Sequence, residues 1–308
     1  MMRVLITGPS GFIGAHCLRR LLAEDCEIHA VNRTGTGEHS DRVSWHAADL
    51  RDAAQATALV IQVRPTHLLH CAWVATPRVY ASSPENFDWL RSGIALALAF
   101  GAHGGVRLVG AGSSAEYDPG NTPCVEDETP IRPATIYGKC KAACWLVTQA
   151  ASQQFGFSAA WGRLFLPYGP GDPPERLVPT MLAALRAGEP APTTHGSQQR
   201  DFIYAPDAAD LLVRLLFSAE GGAFNIGTGR ATTIRAVIEY LASRCGRPDL
   251  PQFGAIAPAS GEPAFLVADM TKVHGRLSWS AATDVRRGLD EILNSAGPAV
   301  SRTASQGR

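Results

Sequence analysis

Residues 4–22 read VLITGPSGFIGAHCLRRLL, and three glycines recur at intervals of three directly after an apolar run. In a strand–turn–helix unit, glycine permits a tight turn, a close approach of the backbone to a pyrophosphate, and tight packing of the helix on the strand. Gly8, Gly11 and Gly14 suit these three tasks, and the N-terminus of the following helix would face the anion. The stretch predicts a dinucleotide-binding turn; a glycine-rich turn that serves helix packing alone is the alternative.

The chain beyond this stretch alternates short β-branched runs with helical stretches, which predicts an α/β fold with a doubly wound, mainly parallel sheet of the Rossmann type. We expect a dinucleotide-binding domain over residues 1–166, with parts of 200–230 returning to it. Residues 167–294 begin with a proline-rich loop and predict a smaller, mainly substrate-binding lobe, and 295–308 predict a disordered tail. The expected helices of the first domain are residues 15–24, 52–63, 86–102 and 137–154.

Composition limits the classes of function. Lys plus Arg and Asp plus Glu each number 28, so no net field favours nucleic acid or an anionic membrane. No apolar run approaches the roughly 20 residues of a membrane span. Seven scattered cysteines suit a reducing compartment, and His67 and His70 would face opposite sides of a strand. We expect a cytoplasmic protein with no signal peptide, metal site, nucleic-acid partner or membrane partner.

A resemblance to a known family rests on motifs that follow in order along the chain. They are TGPSGFIG (7–14), AADL (47–50), HCAW (70–73), YGKCK (137–141), GRLFLPYGPG (162–171), RDFIYAPDAA (200–209), FNIGTG (224–229) and VADMTKVHGRLSW (267–279). With them the chain resembles the extended short-chain dehydrogenase/reductase family, of the NAD-dependent epimerase/dehydratase type, in its branch that modifies nucleotide sugars. The resemblance covers residues 3 to about 293.

The resemblance implies which residues hold a nicotinamide dinucleotide. Asp49 and Leu50 would lie at the adenine, and Ala72 and Trp73 beside the ribose and pyrophosphate. The full set of implied cofactor-binding residues, apart from the end of the second strand, is Gly8, Gly11, Phe12, Ile13, Gly14, Asp49, Leu50, Ala72, Trp73, Tyr137, Lys141 and Leu164.

The reacting groups follow from the YxxxK spacing. Tyr137 and Lys141 are four residues apart and share one face of a helix. A nearby ammonium favours the phenolate and lowers the pKa of a tyrosine from about 10 toward neutrality, so Tyr137 can exchange a proton with a sugar hydroxyl or carbonyl. The resemblance implies a third member, a hydroxyl four residues before a second tyrosine. Counting back from Tyr117 selects Ser113, with Ser114 as the less favoured neighbour.

The two positions after Ser113 restrict the reaction. The family's 4,6-dehydratases carry acidic or similar residues there, whereas this chain has Ser114 and Ala115, and Glu116 comes one position too late. Enzymes similar to GDP-fucose synthase place an epimerising cysteine where Ala115 stands. The resemblance therefore implies redox chemistry at a single carbon, without elimination or 3,5-epimerisation.

The end of the second strand bears on the cofactor. An acidic residue there would bind the adenosine ribose and indicate NAD, but the sequence reads VNRT. Asn32 is uncharged, and Arg33 could pair with a 2′-phosphate. We expect NADP(H), with NAD(H) as the possible alternative, unless Arg33 is merely a surface residue.

The implied substrate is a nucleotide sugar. Arg200 falls where relatives bind a diphosphate, and Arg176 lies in the nucleotide-facing loop; Ser114 completes the expected substrate contacts. Leu166 and Ser92 stand where relatives carry asparagines. Relatives also pair the helices expected at 86–102 and 137–154 into a homodimer.

These observations predict an NADPH-dependent ketoreductase of a nucleotide-diphosphate-linked 4-keto-6-deoxy sugar. Tyr137 would donate the proton, Lys141 would hold the ribose, and Ser113 would orient the carbonyl. An NAD-dependent nucleotide-sugar 4-epimerase is the alternative. A non-catalytic sensor of the cofactor is less favoured, because a sensor does not need all three residues.

Overall fold

The computed structural model describes residues 2–39, 41–259 and 261–295. Its strands are β1 (Arg3–Thr7), β2 (Glu27–Asn32), β3 (Val43–Ala47), β4 (His67–His70), β5 (Arg107–Ser113), β6 (Ser158–Leu164), β7 (Leu166–Tyr168), β8 (Ala191–Thr193), β9 (Gln199–Tyr204), β10 (Gly222–Ile226), β11 (Ala231–Thr233), β12 (Pro251–Phe253) and β13 (Phe265–Leu266). Its helices are α1 (Phe12–Leu21), α2 (Ala53–Val63), α3 (Glu85–Ala102), α4 (Ile136–Phe155), α5 (Leu177–Ala187), α6 (Ala205–Phe217), α7 (Ile234–Arg244), α8 (Thr271–Leu277) and α9 (Val285–Ser295).

The central sheet has seven strands in the order β10-β6-β5-β4-β1-β2-β3. Every pairing in it is parallel. The order reverses between β1 and β4, and this reversal opens a crevice at the carboxyl ends of the two strands. The prediction of a doubly wound α/β sheet is confirmed.

Side chains of the buried strands alternate between two cores. Val4 and Ile6 of β1 pack with α1 and α6 on one face, while Leu5 packs with α2, α3 and α4 on the other. This period of two is the geometry of a strand covered on both faces. Strand β1 thus lies inside the sheet, between β4 and β2, and the turn that follows it is at the crevice.

Helix α1 differs from the sequence expectation of 15–24. It begins at Phe12 and ends at Leu21, because Gly11 forms the N-cap in extended conformation and Gly14 lies inside the first turn. The glycine motif thus continues into the helix instead of ending before it. The other three helices expected in the first domain lie within one residue of their observed bounds.

A smaller body of structure follows β7. Strands β11, β9 and β13 form a sheet to which β7 pairs, and β8 pairs with β12. Helices α5, α7 and α9 cover a third core that includes Met181, Phe202 and Leu241. Strand β10 returns to the central sheet beside β6. The assignment of 167–294 to substrate binding stays a prediction, and the predicted tail lies outside the described residues except Ser295, which ends α9.

A buried ion pair joins β5 to β6. The Glu116 carboxylate accepts hydrogen bonds from the Ser113 amide at 2.8 Å, from the Trp161 indole at 2.9 Å and from Arg163 Nε at 3.0 Å. The Arg163 side chain also donates to the Tyr117 hydroxyl and to the Glu126 carbonyl, each at 3.0 Å. Both charges are nearly inaccessible to water. Because every partner is satisfied, the network fixes the chain just after β5.

Removal of one partner should therefore be costly. We expect Arg163→Met to lower the free energy of unfolding by about 3–5 kcal/mol, since it leaves the Glu116 carboxylate buried and unpaired. Arg287→Met is the control, because Arg287 is exposed and pairs with Glu291 on the surface of α9; its effect should stay within about 0.5 kcal/mol. Urea unfolding monitored by circular dichroism measures both. Equal effects for the two variants would contradict this account.

Candidate active site

The turn after β1 is packed against the end of β4. Gly8 has φ +69°, and a Cβ atom added to it would lie 2.7 Å from the Ala72 amide nitrogen. A Cβ on Gly14 would overlap the carbonyl oxygen of Gly8. Thr7 fixes the same junction, because its hydroxyl accepts from the Ala72 amide at 3.1 Å and is hydrogen-bonded to His70 Nδ1 at 2.8 Å. Only glycine fits at Gly8 and Gly14.

These residues fit a dinucleotide pyrophosphate. No side chain caps the N-terminus of α1, so its first amides are free to bind an anion, and the helix dipole favours negative charge there. Phe12 and Ile13 occupy this first turn and are half-buried. Gly11 is exposed at the mouth of the turn, which leaves backbone within reach of a ligand.

The residues expected at the adenosine end lie beyond β2 and β3. The Asn32 carboxamide accepts from the amides of Thr34 and Gly35 and donates to the Thr36 carbonyl, which orders the loop after β2. Arg33 is exposed. Leu50 is buried, and the hydrogen bond from Arg51 lowers the pKa of Asp49. Arg51 and Asp49 thus lie at the same end as Arg33, which gives this end two cations and one carboxylate.

The fold brings Ser113, Tyr137 and Lys141 together. Thr135 caps α4 by accepting from the Gly138 amide at 3.1 Å, so Tyr137 and Lys141 occupy the first turns of the helix. The Lys141 ammonium donates to the Ala111 carbonyl of β5 at 2.6 Å and lies 5.9 Å from the centre of the Tyr137 ring. Ser113 ends β5 two residues later, beside the Tyr137 hydroxyl.

Burial acts on both titrating groups of this cluster. It raises the pKa of Tyr137, so the expectation that this pKa is lowered toward neutrality is wrong for the free protein; the Ser113 hydroxyl and the Arg176 guanidinium act in the opposite direction. Burial lowers the pKa of Lys141 to about 8, so the ammonium is the dominant form at neutral pH. In the free protein Tyr137 is therefore protonated, and additional positive charge in the crevice would be required to make it a base.

Three other predicted cofactor contacts come from the ends of β4 and β6. Ala72 is buried in contact with Gly8. Trp73 is the next residue, and its indole lies over the Lys141 ammonium. Leu164 ends β6 and is half-buried, in register with Ser113 on the neighbouring strand. All three are at the carboxyl edge of the sheet, where the crevice opens.

The predicted substrate residues are distributed over this edge and the smaller lobe. Ser114 begins a short 3-10 helix and is buried. Arg176 donates to the Pro167 carbonyl at 3.0 Å and contributes to the electrostatics of Tyr137. Arg200 is buried and pairs with Glu262 at 2.7 Å. Glu262 thus gives Arg200 a partner within the protein.

Sequence reasoning missed three residues, which contact Tyr137, Trp73 and Arg176 respectively. Tyr80 packs edge-on against the Tyr137 ring with centroids 4.8 Å apart, and Asn86 orients Trp73. Asp172 lies 3.3 Å from Arg176 Nε, but its Oδ1 atom has no hydrogen bond, and burial raises its pKa to about 6. None of the three belongs to a motif with fixed spacing, so tertiary contact alone reveals them.

The described ranges hold neither a metal cluster nor a membrane span. In these ranges, no group of three or more His, Cys, Asp or Glu side chains is arranged to hold a metal ion. Over the same part of the chain, no helix has both the length and the apolar character needed to cross a membrane.

The chain matches a known protein family and is similar to proteins of known structure. The sequence model of the NAD dependent epimerase/dehydratase family matches residues 4–227. A UDP-glucose 4-epimerase of Mycolicibacterium smegmatis is 29% identical over 95% of this chain and 97% of its own. The structure of UDP-glucose 4-epimerase from Thermus thermophilus in complex with NAD is 26% identical, with a TM-score of 0.84 over 96% of this chain and 100% of that one. MoeE5 in complex with UDP-glucuronic acid and NAD is 27% identical, with a TM-score of 0.82 over 95% and 99%.

The contact of Gly8 with Ala72 predicts the effect of adding one methyl group. We expect Gly8→Ala to weaken NAD binding by about 10- to 100-fold, because the turn must move away from Ala72 and the backbone strain is about 1–3 kcal/mol. Isothermal titration calorimetry measures the affinity.

Gly104→Ala is the matched control. Gly104 has φ +83°, but a Cβ there meets no atom within 4 Å. This variant should share the cost of a positive φ in stability and keep the wild-type NAD affinity. If both variants bound NAD as wild type does, the glycine turn would not be the dinucleotide site.

Proposed function

We propose that this chain, which belongs to the NAD dependent epimerase/dehydratase family, is an NAD-dependent 4-epimerase of a nucleotide-diphosphate sugar. The observation that carries the proposal is the arrangement around Ser113. A serine, a tyrosine and a lysine suited to redox at a hydroxyl-bearing carbon converge there, and the only nearby acid of the 113–117 segment, Glu116, faces Arg163. Oxidation and re-reduction at one carbon need no additional acid, whereas elimination does.

Each residue has a distinct role in the proposed reaction. The Tyr137 phenolic oxygen takes the proton of the sugar hydroxyl while the carbon–hydrogen bond of the same carbon breaks, and it returns a proton to the oxygen when the resulting ketone is reduced from its opposite face. The Lys141 ammonium favours the phenolate that this transfer requires. The Ser113 hydroxyl donates to the reacting oxygen and keeps it near Tyr137. A bound nicotinamide supplies the hydride acceptor and, for the return step, the hydride donor.

The substrate class is supported by two cations and by the names of similar proteins. Arg176 directly precedes α5 and acts on Tyr137, and Arg200 lies in β9 of the smaller lobe; guanidinium groups suit a diphosphate. The relatives at 26–29% identity are named for UDP-glucose, and MoeE5 was solved with UDP-glucuronic acid. We therefore propose a uridine diphosphate hexose as the substrate.

A second candidate is the NADPH-dependent reduction of a nucleotide-linked 4-keto-6-deoxy sugar. One observation favours it: Asn32, not an acidic residue, ends β2, and the exposed Arg33 follows with room to pair with a 2′-phosphate. The same three residues, Ser113, Tyr137 and Lys141, would serve this reaction. It differs from epimerisation in consuming one reduced cofactor per turnover.

One assay separates the two candidates. Purified protein is incubated with UDP-glucose and NAD⁺, and in parallel with a nucleotide 4-keto-6-deoxy sugar and NADPH. We expect UDP-galactose to form without a net change in nicotinamide absorbance. Stoichiometric loss of NADPH in the parallel reaction, with no UDP-galactose, would reject the epimerase in favour of the reductase.

Loss of the Tyr137 hydroxyl should slow the proposed reaction directly. We expect Tyr137→Phe to lower kcat by about 100- to 10,000-fold, the range for a positioned acid–base group. Tyr240→Phe is the control, because it removes a hydroxyl that bonds to Asp290 on α9, away from the cluster. Turnover that survives in Tyr137→Phe would remove Tyr137 from the proton transfer.

We also propose a homodimer formed through α3 and α4. These helices pack against each other, yet Leu98 of α3 and Leu146 of α4 stay exposed, Leu146 by 68%. We expect Leu146→Glu to convert the dimer to a monomer in light scattering coupled to size exclusion. Ile61→Glu is the control, since Ile61 is an exposed apolar residue of the neighbouring α2 and should leave the mass unchanged. A monomeric wild-type protein would contradict the proposal.

A further inference from the structure

The Lys141 ammonium is covered by an aromatic ring. Its nitrogen lies 4.0 Å from the centre of the Trp73 ring, whereas the rings of Tyr137 and Trp161 are each 5.9 Å away. Lys141 is only 3% exposed, so water offers it little solvation. A cation this close to an indole face, and withdrawn from water, is attracted by the quadrupole of the ring.

A hydrogen bond to Asn86 holds the Trp73 indole in its orientation. Trp73 Nε1 donates to the Asn86 carboxamide oxygen at 2.8 Å. Asn86 is fully buried at the start of α3, and its amide group donates to the carbonyls of Tyr80 and Ser83 at 2.7 and 2.8 Å. Since all of these contacts are made inside the protein, Asn86 has one orientation and imposes it on Trp73.

The same segment also holds Tyr137. The Tyr137 amide donates to the Ala81 carbonyl at 3.2 Å, and the Tyr80 ring stands at 84° to the Tyr137 ring. Residues 80–86 therefore contact both partners of the tyrosine–lysine pair, Tyr137 directly and Lys141 through Trp73. One segment of the chain thus positions both side chains.

We propose that Trp73 is a positioning residue of the active site: its indole, oriented by Asn86, stabilises the charged form of Lys141 and holds it at the Ala111 carbonyl beside Tyr137. This rests on the proposed function for its effect on turnover, but not for the contact itself. An ammonium that is fixed and charged keeps the phenolate of Tyr137 accessible. Trp73 thereby acts through Lys141.

The titratable groups that face Lys141 do not replace the indole. They are Tyr137 and Cys144 on its own helix, His70 and Cys71 at the end of β4, and Glu116 after β5. The Glu116 carboxylate is committed to Arg163, and burial lowers the pKa of His70 to about 3, so His70 is neutral. Loss of the ring should therefore make Lys141 easier to deprotonate, with a pKa about one unit lower than in wild type.

The chain offers a direct measurement, because it contains three lysines: Lys139, Lys141 and Lys272. Protein labelled with ¹³Cε-lysine gives three resonances, of which Lys141→Arg identifies one. Protons above an aromatic face resonate upfield, so the Lys141 signal should be shifted upfield in wild type. In Trp73→Leu we expect that shift to vanish and the pKa of Lys141 to fall by about one unit.

Conservative variants of Trp73 distinguish the effect of the aromatic ring from the effect of the rest of the side chain. Trp73→Phe keeps an aromatic face without the N–H, and should retain most of the upfield shift and of the pKa. Trp73→Met, bulky but not aromatic, takes the place of Trp73→Leu if the latter unfolds. A Lys141 resonance and pKa that do not change in the leucine or methionine variant, or a phenylalanine variant no better than leucine, would overturn the inference.

Turnover provides the second readout. In an active enzyme, the alkaline limb of kcat/KM should move to lower pH by about one unit in Trp73→Leu and by less in Trp73→Phe, because a deprotonated Lys141 no longer favours the phenolate. Trp279→Phe is the control; it loses an indole hydrogen bond to Asp210 at 2.8 Å and should leave the profile unchanged. A wild-type protein without epimerase activity would reject the proposed function and leave the resonance test intact.

Discussion

The close contact between the turn after β1 and the end of β4 determines the geometry of the site. Gly8 lies where a methyl group would meet Ala72, and Thr7 ties the Ala72 amide to the same strand end. Trp73 directly follows Ala72, so the position of the glycine turn also fixes the backbone position from which the Trp73 indole extends. A helix N-terminus for an anion and an aromatic cover for Lys141 thus arise from one backbone junction.

The free site is not in the charge state that the proposed reaction needs. Burial favours the neutral forms of both Tyr137 and Lys141, which opposes a phenolate–ammonium pair. The indole of Trp73 partly counters this for Lys141, and Arg176 does so for Tyr137. A positively charged nicotinamide would likewise favour the Tyr137 phenolate. Under the proposed function, Tyr137 would therefore act as a base only when that additional positive charge is present in the crevice.

Local patterns and their order along the chain predicted most of the architecture. The YxxxK spacing placed Tyr137 and Lys141 on one face of α4, because residues four apart share a helix face. Ser113 came from the family resemblance, by counting back from Tyr117, and the structure has it beside the Tyr137 hydroxyl. The predicted start of α1 was wrong by three residues, because Gly14 was expected to precede the helix and instead lies in its first turn. Asn86, Tyr80 and the Arg200–Glu262 pair were invisible because their partners are brought near only by tertiary packing.

The chemistry within this family is decided by a few positions on a common scaffold, since a fold alone does not select a reaction. At the end of β5, Ser114 and Ala115 offer no acid, and Glu116 is bound on three sides by Ser113, Trp161 and Arg163. Turning Glu116 toward the substrate would break those bonds and leave Arg163 buried without its partner, at a cost of several kcal/mol. The network that fixes the strand end therefore also keeps the one carboxylate of residues 113–117 paired with Arg163.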